Sequence, residues 1–183
     1  MGLDIVEFIM AVEAAFGVEI ADADAARIRT PRDLITHLRA QLLDAPTGAP
    51  CLTQQAFYRT RRAVVTRFGR HRDALRPATA LAGVIPAAGR AEHWRALRAD
   101  LGVESWPRFP EPGWRSDLLG GPRTLGDLAG HLALRSPAAV KAGGGWTDAD
   151  IERVVVALVE AEFGVDMAKF TLDSGFVDDM GVD

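Results

Sequence analysis

Cysteine is all but missing from this sequence. Cys51 is the single one among 183 residues, so no internal disulfide can form and cysteine-built zinc clusters are excluded. It sits among Pro46, Gly48, Pro50 and Thr53, where an incidental thiol is expected rather than a nucleophile. Long apolar runs are missing too. A membrane span needs about eighteen consecutive apolar residues, and no such stretch exists. The opening Met-Gly-Leu-Asp has no basic region ahead of an apolar one, so no secretory signal is expected. Val6 stands where myristoylation needs Ser or Thr. The expected location is the cytoplasm. Gly143-Gly144-Gly145 has no Lys after it, which removes a phosphate loop of the P-loop type. His37, His71, His93 and His131 lack metal-ligand spacing, and no metal site is expected. His37 and His131 are expected at the surface or near helix C-termini. Sustained apolar–polar alternation is absent as well, which argues against strands.

What is present is charge, unevenly spread. Residues 1–44 carry eight acids against four arginines, and residues 147–183 carry ten acids against Arg153 and Lys169. Residues 54–98 carry ten arginines against Asp73 and Glu92. Acidic ends around a basic middle are a statement about partners or internal docking.

The apolar spacing predicts helices throughout. Leu3, Val6, Phe8, Ile9, Met10, Val12 and Phe16 mark a helix over 3–16 that Gly17 ends. Thr30-Pro31-Arg32-Asp33 reads as an N-cap, a first-turn proline and a capping partner, opening a helix to about Leu43. Linkers are expected at 45–52 and 136–145. Between them come a helix from Gln54 to Phe68 capped by Thr53, a loop over 70–89 with a turn near Leu81, a helix from Arg90 to Leu101, and an extended Trp/Pro-rich insertion over 106–122. A last middle helix runs from the Thr124/Asp127 cap to about Leu134. Thr147 and Asp150 then open a helix to Phe163, with Trp146 stapled on Ile151. Residues 165–183 form an acidic loop.

The chain also resembles itself. Phe68-Gly69 matches Phe163-Gly164. At that offset Leu75, Thr79, Leu81 and Ile85 fall on Phe170, Ser174, Phe176 and Met180. Leu101-Gly102-Val103-Glu104 matches Phe16-Gly17-Val18-Glu19, and residues 123–132 match residues 29–38. One unit of helix, long loop, helix and capped helix is thus complete at 53–135. At the ends the same parts appear in rotated order, 147–183 last and 3–43 first.

Joined end to start, Phe176-Val-Asp-Asp-Met-Gly-Val-Asp183 and Gly2-Leu-Asp-Ile-Val-Glu-Phe resemble the D-S-L-D-x-V-E-L region of acyl carrier proteins. The resemblance implies an all-α fold of acyl-carrier-like helical bundles, one circularly permuted and one inserted. The permuted domain would comprise 1–44 plus 146–183, and the diverged basic domain 53–135. Helix 147–163 should pack on helices 3–16 and 30–43, with Met1 near Asp183; a domain-swapped dimer would satisfy the same pattern.

The family's attachment serine, which carries phosphopantetheine, falls on Gly2, and in the middle copy on Ala87 or Gly89. None offers a hydroxyl, so no phosphopantetheine or other cofactor is expected. Asp173-Ser174-Gly175 lies in the loop register, where Ser174 is expected to hydrogen-bond locally. Asp4, Glu7 and Glu13 occupy the family's partner-recognition helix and would meet a basic protein surface, either a biosynthetic enzyme or the chain's own middle domain. Arg59, Arg61, Arg62 and Arg67 form the expected basic docking surface. The expectation is a non-enzymatic pseudo-carrier, a binding or scaffold protein of fatty-acid or polyketide-type biosynthesis. The alternatives are a genuine carrier with an atypical modification and, ranked below it, an arginine-mediated nucleic-acid binder with Trp94, Trp106 and Trp114 as stacking platforms.

Overall fold

A computed structural model describes residues 3–42, 50–109, 121–141 and 145–181. Among them every regular element is helical, apart from an isolated antiparallel bridge between Ala80 and Thr124. The chain divides into two units: residues 1–49 with 141–183, and residues 50–140.

In the first unit, α1 is Leu3–Phe16, α2 is Asp22–Ala25 and α3 is Pro31–Leu42. Gly17, at φ +68°, ends α1 by donating its N–H to Glu13 O at 2.8 Å. That left-handed conformation costs a residue with a Cβ far more than glycine. Thr30 and Asp33 cap α3 reciprocally: Asp33 N donates to Thr30 Oγ1 and Thr30 N to Asp33 Oδ2, 3.2 and 3.0 Å. Two backbone bonds then tie the start of α3 to the distant loop after residue 163. Arg32 N donates to Leu172 O at 2.9 Å and Phe176 N to Arg29 O at 3.0 Å.

The long C-terminal helix of this unit, Asp148–Phe163, packs on both α1 and α3. Its buried face is Ile151, Val154, Val155, Leu158 and Val159. Phe8, Phe163 and Phe176 close the core at that end, with ring centroids 4.9, 5.3 and 5.9 Å apart. Phe8 and Phe176 are buried. Such tilted pairs add about 0.5–1.5 kcal/mol each beyond the area they bury. At the other end Trp146 is buried and lies 4.7 Å from Phe16.

Asp150 departs from its expected capping role. Thr147 Oγ1 accepts from Asp150 N at 3.2 Å, but the Asp150 carboxylate takes Lys141 Nζ at 2.9 Å. Both side chains are almost wholly buried. Lys141 also donates to Gly145 O at 2.7 Å and sits 5.5 Å from the Trp146 ring centroid. A charge taken this far out of water requires such a partner set.

In the second unit, α4 is Leu52–Phe68, followed by a 3₁₀ turn at Arg72–Ala74, α5 at Leu81–Val84, α6 at Arg90–Leu101 and α7 at Leu125–Arg135. Helix α4 packs on both α6 and α7. Thr124 and Asp127 form a full capping box on α7. Leu81 N donates to Arg123 O at 2.8 Å, and Gly126 N to Pro77 O at 2.8 Å. A Cβ at Gly126 would stand 3.0 Å from that Pro77 oxygen, so the approach favours glycine.

Some boundaries differ from expectation. Helix α4 begins at Leu52, with Cys51 at its N-cap and no side-chain cap bond, because Leu52 is drawn into the core. Residues Pro137–Lys141 are helical, as α8, inside the stretch expected to be a linker. Pro137 starts that helix, the position where a missing N–H costs nothing. The Asp148–Phe163 helix is therefore α9. The short α2 was not expected. The proximity of Met1 and Asp183 concerns residues outside the described ones, as do most of the expected linker 45–52 and Trp114.

Candidate functional site

The exposed side of α1 carries acidic and apolar residues together. Asp4 and Glu7 are exposed. Beside them Met10 is 61% exposed and Val6 38%. Val6 and Met10 are four residues apart, so they share a helix face, off the stripe of Ile5, Phe8, Ile9 and Val12 that fills the core. Asp4 and Glu7 also line a shallow cavity of about 230 Å³ with Glu162, Phe163, Met180 and Gly181. The C-terminal end of α9 and the loop after it thus extend the acidic face. Sequence periodicity placed Val6 and Met10 on the core side, and Glu162 had no signal tying it to α1.

Glu13 does not belong to this open face. Its carboxylate accepts Ile20 N at 2.7 Å and the side chain is half-buried. It holds the turn after α1 instead of presenting a charge. Gly2, the position of the family's attachment serine, lies outside the described residues. Gly89 is the N-cap of α6 at φ +68° with no side-chain cap bond; a serine there would be strained. Ala87 is exposed in the turn ahead of it. Ser174 is engaged in its own loop, accepting Thr171 N at 3.1 Å and lying 3.1 Å from Thr171 Oγ1. Asp179 accepts Gly175 N at 2.7 Å.

The four arginines of the expected docking surface separate into two kinds. Arg59 is half-buried and donates to Leu101 O at 2.8 Å and to Ala139 O. Arg67 forms a bidentate pair with Asp100. Both hold helices together and have internal roles instead of forming a docking surface. Helix C-termini leave carbonyls unsatisfied, which Arg59 answers, and the guanidinium fork of Arg67 matches the Asp100 carboxylate. Arg61 and Arg62 stay on the surface: Arg61 stacks on Phe57 and Tyr58, and Arg62 is exposed. Trp94 is buried, with Nε1 donating to Pro107 O at 2.8 Å and its ring 4.5 Å from Trp106. It packs the core and offers no stacking platform.

Local fields follow these pairings. Hydrogen bonding to Arg32 holds the Asp173 carboxyl below the usual carboxylate range, and Arg67 does the same for Asp100. Burial pushes Asp127 upward, but the N–H groups of Thr124 and Arg123 and the Thr124 hydroxyl together outweigh it and hold it low. Burial, aided by Arg135, lowers His131 below its ordinary value. Its Nε2 is buried without a hydrogen-bond partner, so His131 disfavours charge rather than complementing a helix end. Among the described residues no cluster of His, Cys, Asp or Glu could hold a metal ion, and no helix is long and apolar enough to cross a membrane.

No family model matches the chain, and no solved structure matches it. Curated proteins do. Acyl carrier protein 2 of Pseudomonas aeruginosa is 61% identical over 36 residues, 20% of this chain and 46% of that protein. About a fifth of the chain is acyl-carrier-protein-like. The acyl carrier protein of Syntrophobacter fumaroxidans is 56% identical over 36 residues, 20% of this chain and 44% of its own length. That of Helicobacter hepaticus is 42% identical over 38 residues, 21% and 50%. The chain spans about half the length of the curated relatives it matches. The all-α helical-bundle architecture agrees with this likeness.

Proposed function

We propose that the chain is an acyl-carrier-like protein that acts without enzymatic chemistry, as a docking or scaffold protein for a biosynthetic partner with a basic surface. The observation that carries this reading is the open face of α1. Exposed Glu7 and then Asp4 there border exposed Met10 and Val6 along one side. Carboxylates beside an unburied apolar pair suit a partner with cationic rim and apolar centre, where charge sets encounter rate and register. The lack of a hydroxyl at Gly2, Ala87 and Gly89, and the engagement of Ser174 within its loop, favour a pseudo-carrier over a loaded one.

In this reading both units are versions of one carrier-like module, the first circularly permuted. Matched backbone bonds support it. Phe176 N to Arg29 O in one unit has Leu81 N to Arg123 O in the other, and Arg32 N to Leu172 O has Gly126 N to Pro77 O. These are the residue pairs that the internal similarity aligns. Phe8 against Phe163 likewise has His93 against Phe68, centroids 5.6 Å apart. Fatty-acid or polyketide-type biosynthesis is the setting that the resemblance to acyl carrier proteins implies.

Incubation with coenzyme A and a phosphopantetheinyl transferase, followed by intact mass, tests the carrier question. No mass gain is expected; a gain of the arm's mass overturns the pseudo-carrier. A photo-crosslinker at Met10 tests docking: the crosslink to a partner should vanish with Glu7→Lys and persist with Ala40→Ser, at an exposed position of α3. Equal loss in both would overturn the α1 face as the docking site.

A further inference from the structure

We propose that the second unit holds a binding site for a dianionic phosphate group of a small soluble ligand, built by Tyr58, Arg61, Arg62 and Arg72. This goes beyond the docking role of α1 and does not depend on it. The four side chains, with Val65, line one pocket of about 280 Å³. Among the described residues, no acidic one lines it.

Each cation is placed for a stated reason. Tyr58, Arg61, Arg62 and Val65 stand three and four residues apart on α4 and so share one face. The Arg61 guanidinium lies 5.2 Å from the Phe57 ring centroid and 5.0 Å from that of Tyr58. Stacking fixes its plane and leaves its edge donors for an acceptor. Arg72 arrives from the 3₁₀ turn, which packs on α4. Gly69 turns the chain at φ +62°. Arg70 then anchors the segment by donating to Val84 O and Gly83 O, 3.2 Å each from Nη2. Arg72 is thereby carried back toward Arg61 and Arg62.

The hydroxyl of Tyr58 completes the donor set. It accepts Gln54 Nε2 at 3.0 Å, which leaves its own O–H to donate. Among the described residues, none of the three pocket arginines pairs with a carboxylate. The neighbouring Asp73 faces His71 at 3.6 Å. Arg67, Arg59 and Arg98 of this unit are by contrast neutralised or spent on carbonyls: Arg67 on Asp100, Arg59 on Leu101 O, Arg98 on Val103 O. Three cations converging without a counter-charge repel one another, and a tetrahedral dianion with several acceptor oxygens relieves this through charge-assisted bonds. The Tyr58 ring and Val65 give the pocket an apolar wall, which suits a small organic phosphate monoester. A polymeric phosphate backbone would instead need a long basic track.

Calorimetric titration of the full chain at low ionic strength, with inorganic phosphate and then methyl phosphate, tests the site. Saturable binding of both, each displacing the other, is expected. Arg62→Gln and Arg72→Gln should each weaken it about tenfold, and Tyr58→Phe less. Arg95→Gln, an exposed arginine of α6 outside the pocket, should leave it unchanged. Thermal unfolding of each variant at the wild-type temperature certifies the fold, since Arg62 and Arg72 are exposed. Absence of saturable phosphate binding overturns the proposal, as does equal weakening by Arg95→Gln. Binding only to phosphatidic-acid vesicles, or only to a nucleic-acid duplex, overturns it in favour of a surface for that partner.

Discussion

The two units close the same backbone contacts with different side chains. In the first, three phenylalanines, Phe8, Phe163 and Phe176, meet at one end of the core. In the second, His93, Phe68 and Leu81 stand at the positions that the proposed repeat aligns with them, with Leu81 fully buried. Each unit caps a helix with a Thr/Asp pair and ties its start to a long loop by two N–H···O bonds. The surfaces differ in their dominant charge. The first exposes carboxylates and a methionine on α1; the second exposes arginines, several of which are bound into its own helix ends. Caps and loop ties constrain backbone geometry and tolerate little change. Solvent-facing charge has no such constraint, so the two surfaces are free to differ.

Perturbations confined to one unit can break or sharpen this comparison. The largest effect is expected at the aromatic end of the first unit. Phe176→Ala should cost about 3–5 kcal/mol, and Leu81→Ala, at the corresponding position of the second unit, about 2–5 kcal/mol, by urea titration with unit-specific probes. Comparable losses would mark equivalent core positions. A negligible loss at Leu81 would break the parallel.

Lys141→Met should destabilise the first unit by about 3–5 kcal/mol, because it removes the ammonium that faces the buried Asp150 carboxylate. Lys141→Met with Asp150→Leu should recover most of that loss. No recovery would mean that the pair contributes more than mutual compensation. The second unit has no such pair among its described residues, so its transition should not move.

Thr30→Ala and Thr124→Ala should each cost about 1 kcal/mol. Similar shifts in the two transitions would sharpen the parallel, and a cost in one unit alone would limit it.

Acid should separate the units next. His131 holds its native pKa below the ordinary value. In the window between the two, the unfolded chain binds the proton and the native chain does not, so stability falls as pH falls. Above the ordinary value, about 6.5, this contribution is fully present. His131→Leu should flatten that decline in the second unit, as followed by thermal unfolding from pH 7 to 5; an unchanged slope would remove His131 as its cause. The smallest effect is expected for Arg32→Gln. The Arg32–Asp173 pair is exposed, and solvent screens such pairs. NMR titration should show Asp173 moving back up toward the ordinary carboxylate value.

Much of the framework was legible because short-range chemistry writes it. Thr30 with Asp33, Thr124 with Asp127, and the glycines at 17, 69, 102 and 164 mark helix ends by local hydrogen bonding and backbone freedom. The candidate docking face was only partly legible. Asp4 and Glu7 are exposed as expected, whereas Glu13 turns back to Ile20 N. Arg59 and Arg67 looked like their neighbours Arg61 and Arg62. Nothing local tells a guanidinium which distant carbonyl or carboxylate lies within reach. Asp150 shows the same limit: its spacing from Thr147 suggests a cap, and Lys141 claims its carboxylate.

The sequence by itself determined an all-α chain, where most of its helices start and stop, and the opposed charges of its ends and middle. Those properties depend on residues within about one helical turn of each other, or on composition. Only the tertiary structure decided which charges are spent and which are open. It buried Lys141 against Asp150, bound Arg59 to helix-end carbonyls, bared Met10, and gathered Arg61, Arg62 and Arg72 around Tyr58. A side chain's partner is set by distance in space, and spacing along the chain does not encode that distance.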